Sequence, residues 1–281
     1  MPQPINANHE FDDPDPGRFM HLPSEPSAED RDLFGKVPKK HRDWSHRRGE
    51  PRMFAIFWMV YLMGATVLMF SSMARAFSIS TGVTRPAART MLVVVFFGIV
   101  VLWPMVRISQ QIGGRSHVGF VLRDIFVLVI PLQAVLWPQT FDILASWPVS
   151  VVLALTLFSL AWVLVIAGII ALAMGSIERA ENGSALRGIW MLLFLLIAAA
   201  APLVGLLGMS GKVIGIDQPR VGWLLSPISG VLELTRDRSG LGTAARVYPQ
   251  HWRMIIAIAC VGLALLLIAR AMEVARSRYP A

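Results

Sequence analysis

The chain has 281 residues, of which 55% are hydrophobic and 16% charged, with a mean hydropathy of +0.58 and a formal net charge of +8. A water-soluble domain carries about 25% charged residues, so this composition excludes an ordinary soluble globule. The charge is uneven: residues 1–52 hold 9 Lys and Arg against 10 Asp and Glu, and residues 53–281 hold 17 against 8. The basic excess therefore lies in short loops between apolar runs, which points to topogenic charge and anionic-lipid contact rather than to nucleic acid.

Residues 1–35 are rich in Pro, Asp, Glu and Ser, with Asp12-Asp13-Pro14-Asp15-Pro16 at the centre. Such a composition cannot bury a core, and a largely disordered tail is expected. From 36 to 52 the character changes to Lys36, Lys39, Lys40, Arg42, Arg47, Arg48 and Arg52. Cationic flanks resist translocation, so the N-terminus is expected in the cytoplasm. No apolar core of a cleavable signal peptide precedes the first long apolar run, which reads as a retained anchor.

Six apolar stretches follow, at about 53–73, 90–108, 124–141, 149–175, 188–209 and 253–272. Five are long enough to cross a hydrocarbon core of about 30 Å as a helix, and the third, reaching about 27 Å, barely does. The expected fold is therefore all-α: a polytopic membrane protein of six transmembrane helices over 53–281, with a disordered N-terminal tail, 1–52. Pro104, Pro131 and Pro202 are expected to mark helix kinks. The third stretch is interrupted by Pro131 and Gln133, and a broken or re-entrant helix is an alternative there. Between the fifth and sixth stretches, Val221–Leu234 is apolar but too short and interrupted to cross, which suggests an interfacial or re-entrant segment. With the N-terminus inside, the inside segments hold 17 basic residues and the outside segments 9. The sign of the bias supports six spans with both termini cytoplasmic, in a bacterial-type inner membrane, although the 210–253 loop carries more Arg than the rule prefers.

Several chemistries are disfavoured. None of the six His lies inside an apolar stretch, which excludes bis-His haem ligation in the membrane. The single cysteine, Cys260, allows no disulfide framework. The centres of the six stretches lack Asp, Glu, Lys and Arg, so a proton relay has no obvious residues. Asp124 beside Arg123 reads as a surface or capping pair, and His251 as a solvated flank. Gly205 to Gly211 leaves five residues between glycines, and Val213 follows Lys212, so no phosphate loop is present. No cofactor, no metal site, no nucleic-acid partner and no enzymatic activity are expected.

The remaining signals concern packing. Ala167, Ala171 and Gly175 recur on one face of the fourth stretch, and Ala257, Cys260 and Ala264 on one face of the sixth. Small residues at that spacing let helices approach closely, within one bundle or across a homodimer or heterodimer. Gln133, Thr156 and Ser159 either line a polar path or bond neighbouring helices, the second being favoured. Trp58, Trp103, Trp137, Trp147, Trp190 and Trp252 lie near span ends, as an aromatic belt requires.

This layout, over roughly residues 40–280, resembles the permease subunits of type-2 ABC exporters. The run Leu224-Leu225-Ser226-Pro227-Ile228-Ser229-Gly230-Val231 is similar to a Ser-Pro element of that family's last loop. The resemblance implies an amphipathic segment at Lys36–Arg52, an ATPase-docking loop at Arg107–Arg123 carrying Arg107, Arg115 and Arg123, and a re-entrant hairpin at Val221–Leu234. One departure is Gln110-Gln111-Ile112-Gly113-Gly114-Arg115, where many such permeases have a Glu-Arg-rich stretch with Gly-Thr. The expected function is a permease-like subunit of an ABC-type export system, energised by a separate nucleotide-binding ATPase chain. The rival is a non-catalytic membrane scaffold that recruits a partner through its tail.

Overall fold

A computed structural model describes residues 51–74, 80–110, 116–180, 182–206, 219–238 and 245–278. The tail before residue 51 and Arg115 lie outside these. The described residues are mostly helical, with no strand among them. Helices α1 (Pro51–Met73), α2 (Thr81–Phe97), α3 (Trp103–Ser109), α4 (His117–Leu136), α5 (Val149–Ile177), α6 (Gly183–Leu206), α7 (Pro227–Leu234) and α8 (Pro249–Arg278) follow in order. Six of the helical stretches are long and apolar enough to cross a membrane: Met53–Met73, Thr81–Ser109, His117–Thr140, Val149–Ile177, Gly183–Ala200 and Pro249–Arg276. The protein is a multi-pass helical membrane protein.

The second and third spans start earlier than their apolar runs. Span two begins at Thr81, which brings Arg85 and Arg89 into the first three turns of α2 rather than a loop. Span three begins at His117, capped by the Ser116 hydroxyl, which accepts from the Gly119 amide at 3.2 Å. Arg123 and Asp124 are therefore helical. Hydropathy places these charged turns outside the span because it scores each residue alone, whereas a polar side chain with a partner is tolerated inside.

The prolines act differently from one another. Pro104 has no N–H to give to the preceding turn, and the helix passes through a π-helical stretch, Gly98–Leu102, before α3 resumes at Trp103. The Tyr61 hydroxyl donates to the Val94 carbonyl at 2.6 Å beside this widened turn. Pro131, by contrast, lies within α4 without interrupting it, so span three is one helix and neither broken nor re-entrant. A 3-10 turn, Trp137–Thr140, extends it. Pro202 lies within the bounds of α6, and its side chain falls outside the described residues.

Helix α5 forms the centre of the bundle, hydrophobic all round and buried along most of its length, as a helix enclosed by neighbours must be. Its most extensive partner is α8. The two backbones meet at Gly168 and Gly262: a Cβ at Gly168 would lie 2.5 Å from Leu265 Cβ, and one at Gly262 would lie 2.7 Å from the Val165 amide nitrogen. Ala167 and Ala171 are buried, and a Cβ at Gly175 would meet the Arg276 guanidinium at 2.9 Å. The stripe Ala257, Cys260 and Ala264 is exposed instead, because α8 turns Ile255, Ile258, Gly262, Leu266 and Ala269 inward. The tryptophans also depart from a belt. Trp58, Trp103 and Trp147 are buried, and the indole N–H of Trp58 donates to the Leu128 carbonyl at 3.1 Å, joining α1 to α4.

Because the spans alternate in direction, the bundle has two ends. The near end holds the start of α1, the end of α3, the start of α4 and the ends of α5 and α8. The far end holds the starts of α2, α5 and α8, and residues 219–238.

Candidate functional site

Residues 219–238 do not cross the bundle. A 3-10 turn, Val221–Leu225, leads through Ser226 into α7. The Arg220 amide donates to Glu233 Oε1 at 3.0 Å, so the two limbs come back together and the segment is a hairpin. The Leu224 carbonyl accepts from the Trp162 indole N–H at 3.3 Å. Trp162 is the fourteenth residue of α5, which places this contact about 20 Å from the helix start, near the helix midpoint. Gly230 lies against the Phe158 ring so closely that a Cβ there would overlap it. Glycine is required by this close approach. Leu224, Ser226, Pro227, Val231 and Leu234 are buried, while Leu225 at the tip is exposed. The segment is re-entrant: it enters from the far end, reaches the middle of the bundle and returns.

Its polar groups anchor it there. Glu233 is 1% exposed, with Arg238 Nη2 donating to Oε1 at 2.9 Å and Arg236 Nε 3.3 Å from Oε2. His251, fully buried in the first turn of α8, places Nε2 at 3.7 Å from Glu233 Oε1. Its Nδ1 accepts from the Tyr248 amide at 3.4 Å. Burial alone would raise the Glu233 carboxyl, but His251, the Arg220 amide and the charges of Arg236 and Arg238 outweigh it and hold it below the ordinary glutamate value. His251 is thus a buried partner of the hairpin rather than a solvated flank.

The segment of chain that follows is braced by α2. Arg89 donates twice to the Thr235 carbonyl, at 3.1 and 2.6 Å, and its Nη2 reaches Asp237 Oδ2 at 2.5 Å. Arg85, one turn earlier, donates to Asp237 Oδ1 at 3.0 Å and to the Ala145 carbonyl at 3.0 Å. These pairings engage both Arg85 and Arg89. They are structural ligands of the hairpin.

A second polar centre is buried toward the near end. Arg107 and Asp124 are both fully buried and form a two-pronged ion pair, Nε to Oδ2 at 2.5 Å and Nη2 to Oδ1 at 2.6 Å. The Trp103 indole N–H donates to Oδ2 at 3.1 Å, and the guanidinium lies 4.2 Å from the Phe54 ring centroid and 4.5 Å from that of Phe120. Asp124 therefore pairs with Arg107 across helices, and not with its neighbour Arg123 at the surface. Of the expected docking arginines, Arg107 presents nothing to solvent, Arg123 is exposed, and Arg115 lies outside the described residues.

The polar side chains of spans three and four meet. The Thr156 hydroxyl donates to Gln133 Oε1 at 3.0 Å, while Gln133 Nε2 donates to the Val129 carbonyl at 3.1 Å and Ser159 bonds the Thr156 carbonyl at 2.7 Å. These groups bond within and between α4 and α5. Among the described residues no three His, Cys, Asp or Glu side chains converge as metal ligands would.

Sequence reasoning located the re-entrant segment but missed Glu233, His251 and the Arg107–Asp124 pair as buried partners. The one signal for Glu233 was a lone acid in an otherwise apolar run. Comparison with known proteins finds no family model, no curated protein and no solved structure that matches this chain.

Proposed function

We propose that this protein is a permease-like subunit of an ABC-type export system in a bacterial-type inner membrane, with both termini cytoplasmic and energy supplied by a separate ATPase chain. The observation that carries the reading is the re-entrant hairpin between spans five and six, held at mid-bundle by Trp162 and closed by Glu233. It enters at the far end, which this orientation makes the extracytoplasmic side. A hairpin of that kind is what the resemblance to type-2 exporter permeases implies at Val221–Leu234. The chain carries no nucleotide-binding loop of its own, which is why a partner ATPase is required. The near end would receive it, with Arg123 as the exposed cationic contact.

Affinity purification from native membranes in mild detergent, followed by mass spectrometry, tests this. A stoichiometric nucleotide-binding ATPase is expected, lost when Arg115 and Arg123 are both reversed to Glu. Reproducible absence of an ATPase, with another protein held through residues 1–52, would replace the reading with that of a membrane scaffold.

A further inference from the structure

Span two is tied near each of its ends to a different neighbour. At the far end Arg85 and Arg89, in α2, hold Asp237 and the Thr235 carbonyl behind the hairpin. At the near end Trp103 and Arg107, in α3, hold Asp124 of α4. Between these anchors the helix widens at Gly98–Leu102, where the Trp103 amide donates to the Gly98 carbonyl, five residues back instead of four. A turn of this kind is an α-helix that carries one extra residue, and such turns recur where helices do functional work.

Three features keep the extra residue there. Pro104 is the first. In an unbroken α-helix its ring would press on the Val100 carbonyl and leave it without a donor, so the widened turn suits the proline. Tyr61 is the second. The Gly98 amide is divided between the Val94 and Val95 carbonyls, and the Tyr61 hydroxyl gives Val94 a second donor at 2.6 Å. Gly98 permits that approach, because a Cβ there would overlap the Tyr61 ring.

The third feature is the register of α3. Rewinding the turn as α would rotate α3 by about 100° about its axis, the angle of one residue. Each residue of α3 would then take the place now held by the next. Arg107 would leave Asp124, buried Ile108 would move to the exposed place of Ser109, and exposed Met105 to the half-buried place of Val106. The Arg107–Asp124 pair and the widened turn therefore require each other.

We infer that Gly98–Leu102 is a register switch in span two. It stores one residue while Arg107 is paired with Asp124, and it returns to α winding, turning α3, when that pair is released. Arg85 and Arg89 keep α2 on the hairpin segment while the near end turns. The switch adjoins the 107–123 loop that the exporter reading gives to a partner, but it rests on contacts within this chain alone.

The full chain in detergent, in a Cys260→Ala background, carries one reporter cysteine, Met105→Cys or Ile108→Cys, and its rate of reaction with N-ethylmaleimide is measured. Arg107→Met with Asp124→Leu releases the pair without stranding a charge. Release should speed the reaction of Ile108→Cys by about ten-fold and slow that of Met105→Cys by about three-fold, as the exchange of a buried for an exposed place implies. Deletion of Val101 removes the stored residue and leaves Arg107 in register with Asp124, so release in that chain should change neither rate. If either chain fails to fold, Pro104→Ala with the pair intact carries the test. It frees the Val100 carbonyl from the ring and should move both rates in the same directions by at least about two-fold. The inference is overturned if release leaves Ile108→Cys slow, or if both reporters speed up together, as local unravelling would make them. It is equally overturned if the deletion chain responds as the parent does, or if Pro104→Ala changes nothing.

Discussion

Arg107 and Asp124 are joined by two hydrogen bonds of 2.5 and 2.6 Å, and neither is accessible to solvent. The pair ties the end of α3 to the second turn of α4, and Phe54 of α1 closes over the guanidinium. Three helices therefore meet on one charge pair. A buried pair of this kind contributes little over a well-packed apolar pair, but breaking it is costly because the remaining charge stays buried.

Asp124→Ala is accordingly expected to destabilise the protein by about 3–5 kcal/mol, since it strands the Arg107 guanidinium. The double replacement Arg107→Met with Asp124→Leu should recover most of that loss. Thermal unfolding in detergent of the wild type and the two variants checks this. A double variant no more stable than Asp124→Ala would show that the geometry of the pair, not its charge balance, is required.

Glu233 links stability to pH. Its folded-state pKa lies below the ordinary glutamate value of 4.5, so its contribution is complete above that value and is lost as the pH falls through the lowered one. The melting temperature of the wild type should therefore drop on acidification below pH 4.5 more steeply than that of Glu233→Gln. At neutral pH the variant should already be less stable, with the 219–238 segment cut more readily by protease. Parallel pH profiles in the two proteins would remove Glu233 from its anchoring role.

At Gly230 the Phe158 ring occupies the space a Cβ would need. Gly230→Ala should cost about 1–3 kcal/mol through overpacking. Phe158→Leu in the same chain should relieve most of it, because the ring atoms that clash are removed. A double-mutant cycle on thermal stability measures the coupling, and additivity would mean that the hairpin shifts instead of straining.

The orientation can be read with cysteines. In a Cys260→Ala background, Arg246→Cys should react with a membrane-impermeant maleimide added to intact cells. Arg123→Cys should react only after the membrane is opened. The reverse pattern would invert the bundle and place the hairpin at the cytoplasmic face.

Much of the architecture is legible in the apolar runs. The hairpin is legible too, because Val221–Leu234 combines apolar side chains with Pro227, Gly230 and Glu233, a mixture that neither crosses a bilayer nor stays in water. Less legible were the helix starts: α2 and α4 reach into turns carrying Arg85, Arg89, Arg123 and Asp124, residues that hydropathy assigns to loops. Proline was ambiguous for a similar reason. Pro104 is accompanied by a π-helical stretch while Pro131 is absorbed in α4.

By itself the sequence determined that six helices form and that the chain resides in a membrane. Transfer of each side chain into hydrocarbon is a local free energy, and it adds along any window of about 20 residues. Only the tertiary structure decided which polar residues become partners. Asp124 lies beside Arg123 in the chain yet bonds Arg107, and His251 is brought to Glu233 by the packing of α8 against the hairpin. The same holds for the helix faces: Gly168 and Gly262 are the residues at the α5–α8 crossing, while Ala257, Cys260 and Ala264 face outward. Pairing and facing depend on which helices lie side by side, and no stretch of sequence contains that information until the bundle closes.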